Sequence, residues 1–256
     1  MQVKNYSYTD FRNIVTSGFS HYPSRDGDVY VGADVAYKIY DQYMPPKNKR
    51  EFRVEDIALL DEKFLTIPIS KLYIDDVYSG FEMFNGGESL KSYLFKYSVS
   101  FDETINILNQ LKDIIIYLSD NSLVHADVRL SNILYKNGHV RLTDVNGILF
   151  NGDIPLPYSF VPLFQNWYIV DGSVKMLDVL AFNLWTYILL NNSVQDTRKD
   201  VIYNIEFFLD DLRSVLDKDS GMFDNEVTSI VKNAILGDHS AIKELKPNTF
   251  LIDYLK

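Results

Sequence analysis

The sequence contains no cysteine, so disulfide bonds and thiolate metal sites are excluded, and we expect a protein of a reducing compartment, the cytoplasm. No stretch approaches the roughly 18 uninterrupted apolar residues of a membrane span, and the first residues, MQVKNYSYTDFRN, lack the apolar core of a secretory signal. Lys and Arg number 25 against 35 Asp and Glu. Because these basic residues are also scattered, we expect neither a nucleic acid nor a membrane as partner.

The patterning of apolar residues changes along the chain. The first hundred residues are strand-rich, with GDVYVG and DVAYKIY alternating and with SKLYIDDVYSGFEMF giving two strands joined at Asp75 and Asp76. The segment NKREFRVEDIALLDEKFL has helical spacing, and from Phe101 onward helical patterns predominate. This order predicts an α+β fold with a strand-rich front and a helical back, joined at residues 82–88, with a cleft between two lobes.

Oxygen-bearing side chains are concentrated in the central segment LVHADVRLSNILYKNGHVRLTDVNG. A hairpin turn predicted at Asn137–Gly138 returns the chain, so Asp144 should lie close to Asn132. Carboxylate and amide oxygens are ligands that Mg²⁺ prefers, and Asp127 could accept a proton nearby. Asp and Asn are also common turn formers, which would explain any one of these residues alone. Their occurrence together at this spacing favours a functional site.

HADVRLSNIL followed by LTDVNG resembles the catalytic loop and the metal-binding loop of the protein-kinase-like superfamily. GDVYVGADVAYKIY is similar to the end of the family's glycine-rich loop, with Gly27 as its last glycine. The resemblance implies that Lys38 is the phosphate-pairing lysine and that Glu55, in VEDIALL, is the helix glutamate that pairs with it. The match runs from about residue 26 to residue 190, and weakly to residue 245.

Two further segments extend the resemblance. GFEMFNGGESL looks like the hinge, with Phe81 as gatekeeper and with the backbone of Glu82, Met83 and Phe84 implied to bind adenine from a strand edge. LDVLAFNLWTYILL resembles the central helix of the larger lobe, with Asp178 as its buried anchoring aspartate. The family fold is bilobal: residues 1–81 would be a smaller lobe of β-sheet and one helix, and residues 82–256 the hinge and helical larger lobe of one kinase-like domain.

The resemblance implies an ATP- and Mg²⁺-dependent phosphotransferase. Lys38 would hold the α- and β-phosphates, while Asn132 and Asp144 would carry Mg²⁺. Asp127 would orient the acceptor hydroxyl and take its proton, and Arg129 would place a positive charge beside the transferred phosphate.

The sequence departs from the family pattern at several points. Tyr22 and Ser24 stand where the first two glycines of the phosphate loop would be expected, and side chains there keep backbone amides away from phosphates. Ala126 replaces the arginine that in many members reads a phosphorylated activation loop, which argues against that form of control. The segment around Pro162 lacks the usual glutamate, and the C-terminal part lacks its arginine partner, so both halves of one ion pair are missing.

Three functions agree with these residues. The first is a compact, divergent protein kinase that phosphorylates Ser or Thr hydroxyls, favoured by GGESL, by Arg129 and by the aspartate in LDVLAF, Asp178. The second is a small-molecule kinase of the aminoglycoside- or choline-phosphorylating kind, favoured by the missing arginine and ion pair. The third is a pseudokinase that acts as a binding module, favoured by the degraded glycine loop and opposed by the intact set of five chemical positions: Lys38, Glu55, Asp127, Asn132 and Asp144. The sequence does not fix the acceptor or the oligomeric state.

Overall fold

The computed structural model describes residues 1–24, 27–41, 53–150, 176–191, 216, 222–223 and 225–255. Within them the fold is α+β, with a mixed multi-stranded sheet and several helices, which agrees with the predicted class and is compatible with a kinase-like fold. Two compact units are present: residues 1–87 with 143–146, and residues 88–142 with 147–256. No helix among the described residues is long and apolar enough to cross a membrane.

The first unit is built on a six-stranded sheet with the order β1-β5-β6-β4-β3-β2. β1 lies parallel to β5, and the other neighbours are antiparallel. Helix α1 (Tyr8–Thr16) begins at Ser7, whose side chain accepts a hydrogen bond from the Asp10 backbone N–H. The strands are β1 (Gln2–Tyr6), β2 (Ser20–Ser24), β3 (Gly27–Val31), β4 (Val35–Tyr40), β5 (Pro68–Ile74) and β6 (Val77–Phe84).

Strand β4 contributes to two separate cores because successive side chains of a strand point to opposite faces. Tyr37 packs against α1 and β5 in a cluster with Phe11, Val15 and Leu72. Its neighbour Ala36 belongs to the cluster on the other face, which contains Val54, Phe81 and Met83. Lys38 follows Ala36 by two residues and therefore shares its face of the sheet.

The first unit extends beyond the predicted boundary at residue 81. β6 continues to Phe84 because its last residues pair with β4, and residues 143–146 also group with this unit. Residues 53–57 are helical, as predicted, but turns follow them where the prediction continues the helix; the start of that prediction, 48–52, lies outside the described residues. The division into two lobes of one domain with a cleft stays a prediction.

The second unit is mainly helical. Its three-stranded sheet has the order β7-β8-β9, and the side chains of residues 177–190, in a mostly apolar helix, are all buried. The strands are β7 (Glu88–Ser89), β8 (Ile133–Lys136) and β9 (His139–Leu142), and the helices are α2 (Leu90–Lys96), α3 (Phe101–Asp120), α4 (Leu177–Asn191), α5 (Asn225–Ile235) and α6 (His239–Glu244).

Both predicted hairpin turns are confirmed. Asn137 and Gly138 have φ of 52° and 83° and connect β8 to β9, and Asp75 and Asp76, at 49° and 62°, connect β5 to β6. Two consecutive left-handed residues produce the turn whose twist matches that of antiparallel strands. Asn, Asp and Gly adopt this conformation at low cost, which explains why these turns could be predicted.

Candidate functional site

The segment His125–Asn132, here called the candidate catalytic loop, is attached to α4 by three buried hydrogen bonds. The backbone N–H groups of His125 and Ala126 donate to the two carboxylate oxygens of Asp178, at 2.7 and 2.8 Å. The Trp185 indole N–H donates to the Val128 carbonyl at 2.7 Å. The prediction that Asp178 is a buried anchor is therefore confirmed.

The anchored loop contains a strained residue. Ala126 has φ of 64°, a left-handed conformation that costs a residue with a Cβ about 1–2 kcal/mol. Such strain persists only where surrounding contacts determine the backbone, and it clusters at functional sites. The hydrogen bond from Ala126 to Asp178 is a contact of this kind.

Asp178 is itself in an unfavourable environment for a charge. Burial raises the pKa of its carboxyl above the usual value, whereas the charge of His125 and the two backbone donors act in the opposite direction. Burial and the backbone hydrogen bonds therefore act in opposite directions on the pKa of Asp178, and burial is the larger effect.

Asp127, the predicted base, is held by two side chains of the same loop. An Arg129 guanidinium nitrogen lies 2.5 Å from Asp127 Oδ2, and the Asn132 amide nitrogen donates to the same oxygen at 2.9 Å and to the Asp127 carbonyl at 3.0 Å. The Asp127 side chain is 15% exposed, so it is oriented but reachable. The structure brings these three predicted residues together, and Arg129 acts here on the carboxylate.

The hydrogen bonds of Asn132 determine where its amide oxygen points. Both acceptors on Asp127 are oxygens, so the amide NH₂ must face them and the Asn132 carbonyl oxygen must face away. That oxygen is the atom a hard cation would use. No group of three His, Asp or Glu side chains among the described residues could hold a metal ion.

Asp144, the second predicted metal ligand, lies two residues beyond the β8–β9 hairpin, in which Ile133 pairs with Leu142. It is half-buried and has φ of 61°, the left-handed conformation. Its carboxylate makes no hydrogen bond or ion pair with another residue that the structure describes. A partly buried carboxylate without such a partner suits a ligand-binding role.

Lys38, the predicted phosphate lysine, is 5% exposed on β4. Its ammonium donates to the Ser24 hydroxyl at 2.8 Å, and none of the described carboxylates pairs with it. A buried ammonium without a counter-charge is costly, so the surroundings of Lys38 favour an anion.

The predicted Lys38–Glu55 pair is absent from the described residues. Glu55 instead lies 2.8 Å from the Lys71 ammonium, and its side chain is 65% exposed. The hydrogen bond from Lys71, together with the Lys71 charge, lowers the pKa of Glu55. The predicted Lys38–Glu55 pairing was wrong because Lys71 on β5 binds Glu55 instead. The spacing of these residues along the sequence does not indicate that contact.

Gly27 has a structural reason to be glycine. Its φ is 135°, and an added Cβ would lie 2.0 Å from the Ile39 carbonyl oxygen on the neighbouring strand. The close approach of β3 and β4 therefore requires glycine here. Contact with phosphate stays a prediction for this residue.

The predicted strand edge at residues 82–84 is wrong for two of the three residues. Glu82 pairs with Tyr37 on β4 and with Ser70 on β5, and Met83 is also flanked on both sides, because β6 lies inside the sheet. Phe84 is the end of the strand and has a register partner only on β4 among the described residues. The Glu82 side chain is buried and lies 2.6 Å from the Lys4 ammonium on β1.

Sequence reasoning missed several contributors to these contacts. Trp185 follows Asp178 by seven residues, two helical turns, and this spacing could have placed both on one face of α4. Ser24 was treated only as a lost glycine. Lys4 and Lys71 belong to no motif in the sequence. Their neighbours along the chain do not indicate that Lys4 pairs with Glu82 and Lys71 with Glu55.

Comparison with known proteins supports a kinase-like relationship. No protein-family model matches the chain. Over 134 residues it is 29% identical to the calcium/calmodulin-dependent protein kinase type 1 of Caenorhabditis briggsae, covering 50% of this chain and 37% of that protein. Over 130 residues it is 30% identical to the probable serine/threonine-protein kinase YbdM of Bacillus subtilis, covering 46% of this chain and 51% of that protein. The chain therefore spans about half or less of these curated relatives.

Proposed function

We propose that this chain is an ATP- and Mg²⁺-dependent phosphotransferase that transfers the γ-phosphoryl group to a Ser or Thr hydroxyl of a protein. The observation that carries the proposal is the network around Asp127, in which Arg129 and Asn132 both bind one carboxylate oxygen. Two donors on Oδ2 fix the direction of the Asp127 carboxylate. The similarity to two proteins named as protein kinases supports the same reaction class.

In this function Asp127 orients the acceptor hydroxyl and takes its proton late in the transfer. The charge-assisted bonds from Arg129 and Asn132 favour the ionised carboxylate and fix its direction. Phosphoryl transfer needs mainly positioning and charge neutralisation, so a base of ordinary strength is adequate. Arg129 remains near enough to Asp127 to add positive charge where the phosphoryl group arrives.

The donor set suits Mg²⁺. Asn132 presents an amide oxygen and Asp144 a carboxylate that has no partner among the described residues. Mg²⁺ keeps several waters and binds substrate phosphates, so it needs few protein ligands. When bound, Mg²⁺ would neutralise charge on the phosphate oxygens.

Lys38 would bind the α- and β-phosphates of ATP, since its buried ammonium has no described carboxylate partner. The adenine contact falls to the backbone at Phe84 and beyond, where β6 ends, rather than to Glu82 and Met83. Residues 85–87 join β6 to β7, and Gly87 there has φ of 111°, so the backbone can turn in this segment.

The test is incubation of the protein with labelled ATP and Mg²⁺, followed by detection of label on the chain itself, on generic protein substrates, and on a panel of small alcohols and aminoglycosides. Label on protein, lost in Asp127→Asn, supports the proposal. Label on no acceptor, with nucleotide binding retained, would favour a pseudokinase that acts as a binding module.

A small-molecule acceptor is the second candidate. Ala126 stands at the position where many protein kinases carry an arginine, and its methyl group is buried rather than presenting a charge. The loop is therefore held by Asp178 alone at this residue, without a cation for a phosphorylated segment. Label on small alcohols and none on proteins would support this candidate.

A further inference from the structure

We propose that Ser24, rather than Glu55, is the positioning residue for Lys38. The inference rests on the proposed function for its nucleotide consequence, but the contact itself lies within the first unit. The Lys38 ammonium donates to the Ser24 hydroxyl oxygen at 2.8 Å, whereas Glu55 is engaged by Lys71.

The Ser24 hydroxyl is fixed by a second hydrogen bond. It donates to the Gly27 carbonyl at 2.7 Å, so its only proton is used and its lone pairs are left to accept from Lys38. Ser24 and Gly27 are the last register pair of the β2–β3 hairpin. The chain of bonds from Lys38 to Ser24 to Gly27 therefore has one direction and a rigid support.

Gly27 is itself held in place by β4, the strand that carries Lys38. It pairs with Tyr40, and the close approach of the Ile39 carbonyl leaves no room for a Cβ. Val29 of β3 pairs with Lys38 directly. The distance between the Ser24 hydroxyl and the base of the Lys38 side chain is thus set by the sheet, which limits the rotamers available to a long, flexible side chain.

A hydroxyl positions an ammonium without neutralising it. A carboxylate partner would offset the charge of Lys38, whereas Ser24 leaves it available to a polyphosphate. Ser24 stands where the family pattern has a glycine. Its hydroxyl also orients the Lys38 ammonium, which Glu55 does not do because it pairs with Lys71.

Substitutions at Ser24 distinguish two possible effects of this residue on nucleotide binding: positioning of Lys38 by the hydroxyl, and the reduced backbone flexibility of a serine compared with a glycine. If backbone flexibility limits nucleotide binding, Ser24→Gly should strengthen it. If the hydroxyl positions Lys38, Ser24→Gly and Ser24→Ala should both weaken binding of Mg²⁺ and a non-hydrolysable ATP analogue by about threefold to tenfold, the range of one lost hydrogen bond. Ser24→Thr should keep the affinity of the native protein, because threonine retains the hydroxyl and suits a strand.

A second readout does not depend on nucleotide binding. The rate at which an N-hydroxysuccinimide ester acylates the Lys38 amine, measured by mass spectrometry on the folded full chain, should change about threefold to tenfold in Ser24→Ala and return in Ser24→Thr. Ser20→Ala, on the same strand, is the matched control and should leave the rate unchanged. Glu55→Gln should change it less than Ser24→Ala.

The outcomes are distinguishable. If the native protein shows no nucleotide binding and no protection of Lys38 by MgATP, the proposed function is overturned, and acylation alone decides the role of Ser24. If Ser24→Ala leaves Lys38 acylation at the native rate, or if Glu55→Gln changes it as much, the positioning role of Ser24 is overturned. Tighter nucleotide binding in Ser24→Gly would also overturn it.

Discussion

Replacing Asp178 measures how far the candidate catalytic loop depends on α4. Asp178→Ala removes both acceptors and leaves the buried N–H groups of His125 and Ala126 without them. Each unsatisfied buried donor costs about 1–3 kcal/mol, so the free energy of unfolding should fall by about 2–6 kcal/mol. Asp178→Asn keeps one acceptor oxygen and should lose about 1–3 kcal/mol.

Urea unfolding followed by tryptophan fluorescence is the assay. The chain has two tryptophans, and a Trp167→Phe background leaves Trp185, whose indole donates to Val128 in the same loop. Thr186→Val is the matched control on α4: its buried hydroxyl has no hydrogen-bond partner among the described residues, so its removal should be neutral or stabilising. A loss below about 1 kcal/mol in Asp178→Ala would refute the anchoring argument.

The raised pKa of Asp178 adds a pH dependence. A carboxyl with a higher pKa in the folded state binds more protons there, so its contribution to stability is fully present below the ordinary value of 3.8 and falls as pH rises through the folded pKa. The stability difference between the native protein and Asp178→Asn should therefore shrink from about pH 4 upward. A difference that stays constant to pH 7 would contradict this.

Four further substitutions test the site itself. Asp127→Asn keeps shape but removes charge, so turnover with the preferred acceptor should fall about 10²–10⁴-fold while calorimetric nucleotide affinity changes little; equal loss of both would make Asp127 structural. Asn132→Ala and Asp144→Ala should each abolish Mg²⁺-dependent turnover with unfolding curves retained, and an active Asp144→Ala would mean that the metal loop is misplaced. Lys38→Met should weaken nucleotide binding at least tenfold, about 1.4 kcal/mol, without loss of stability, because an apolar side chain relieves a buried charge; a large stability loss would mean that Lys38 is a structural residue.

Features set by neighbouring residues could be predicted from the sequence. The turns at Asp75–Asp76 and Asn137–Gly138 follow from residues that adopt left-handed conformations, and the long helix α3 begins at Ser100, whose side chain accepts from the Glu103 N–H. The Asp127–Asn132 contact is also local, since both residues lie in one loop. The candidate catalytic loop itself was identified by its resemblance to the protein-kinase-like superfamily, and its role stays a prediction.

Features that depend on strand order could not be predicted in the same way. Glu82 was expected at an edge, but the sheet places β6 between β5 and β4. Glu55 was expected to pair with Lys38, but the neighbouring β5 presents Lys71. Both errors concern contacts between residues distant in sequence, where pairing is decided by the register of the whole sheet rather than by spacing along the chain.

Energetically unfavourable features of the structure bear on whether the chain catalyses a reaction. Ala126 is left-handed, and Lys38 is a buried cation without a described counter-charge. A left-handed alanine costs about 1–2 kcal/mol, and glycine would remove that cost. A module that only binds a partner has no need for an oriented Asp127 or an uncompensated Lys38. A phosphotransferase needs both, because the carboxylate must meet a hydroxyl and the ammonium must meet phosphate. The unfavourable features are therefore easier to explain by catalysis than by binding alone.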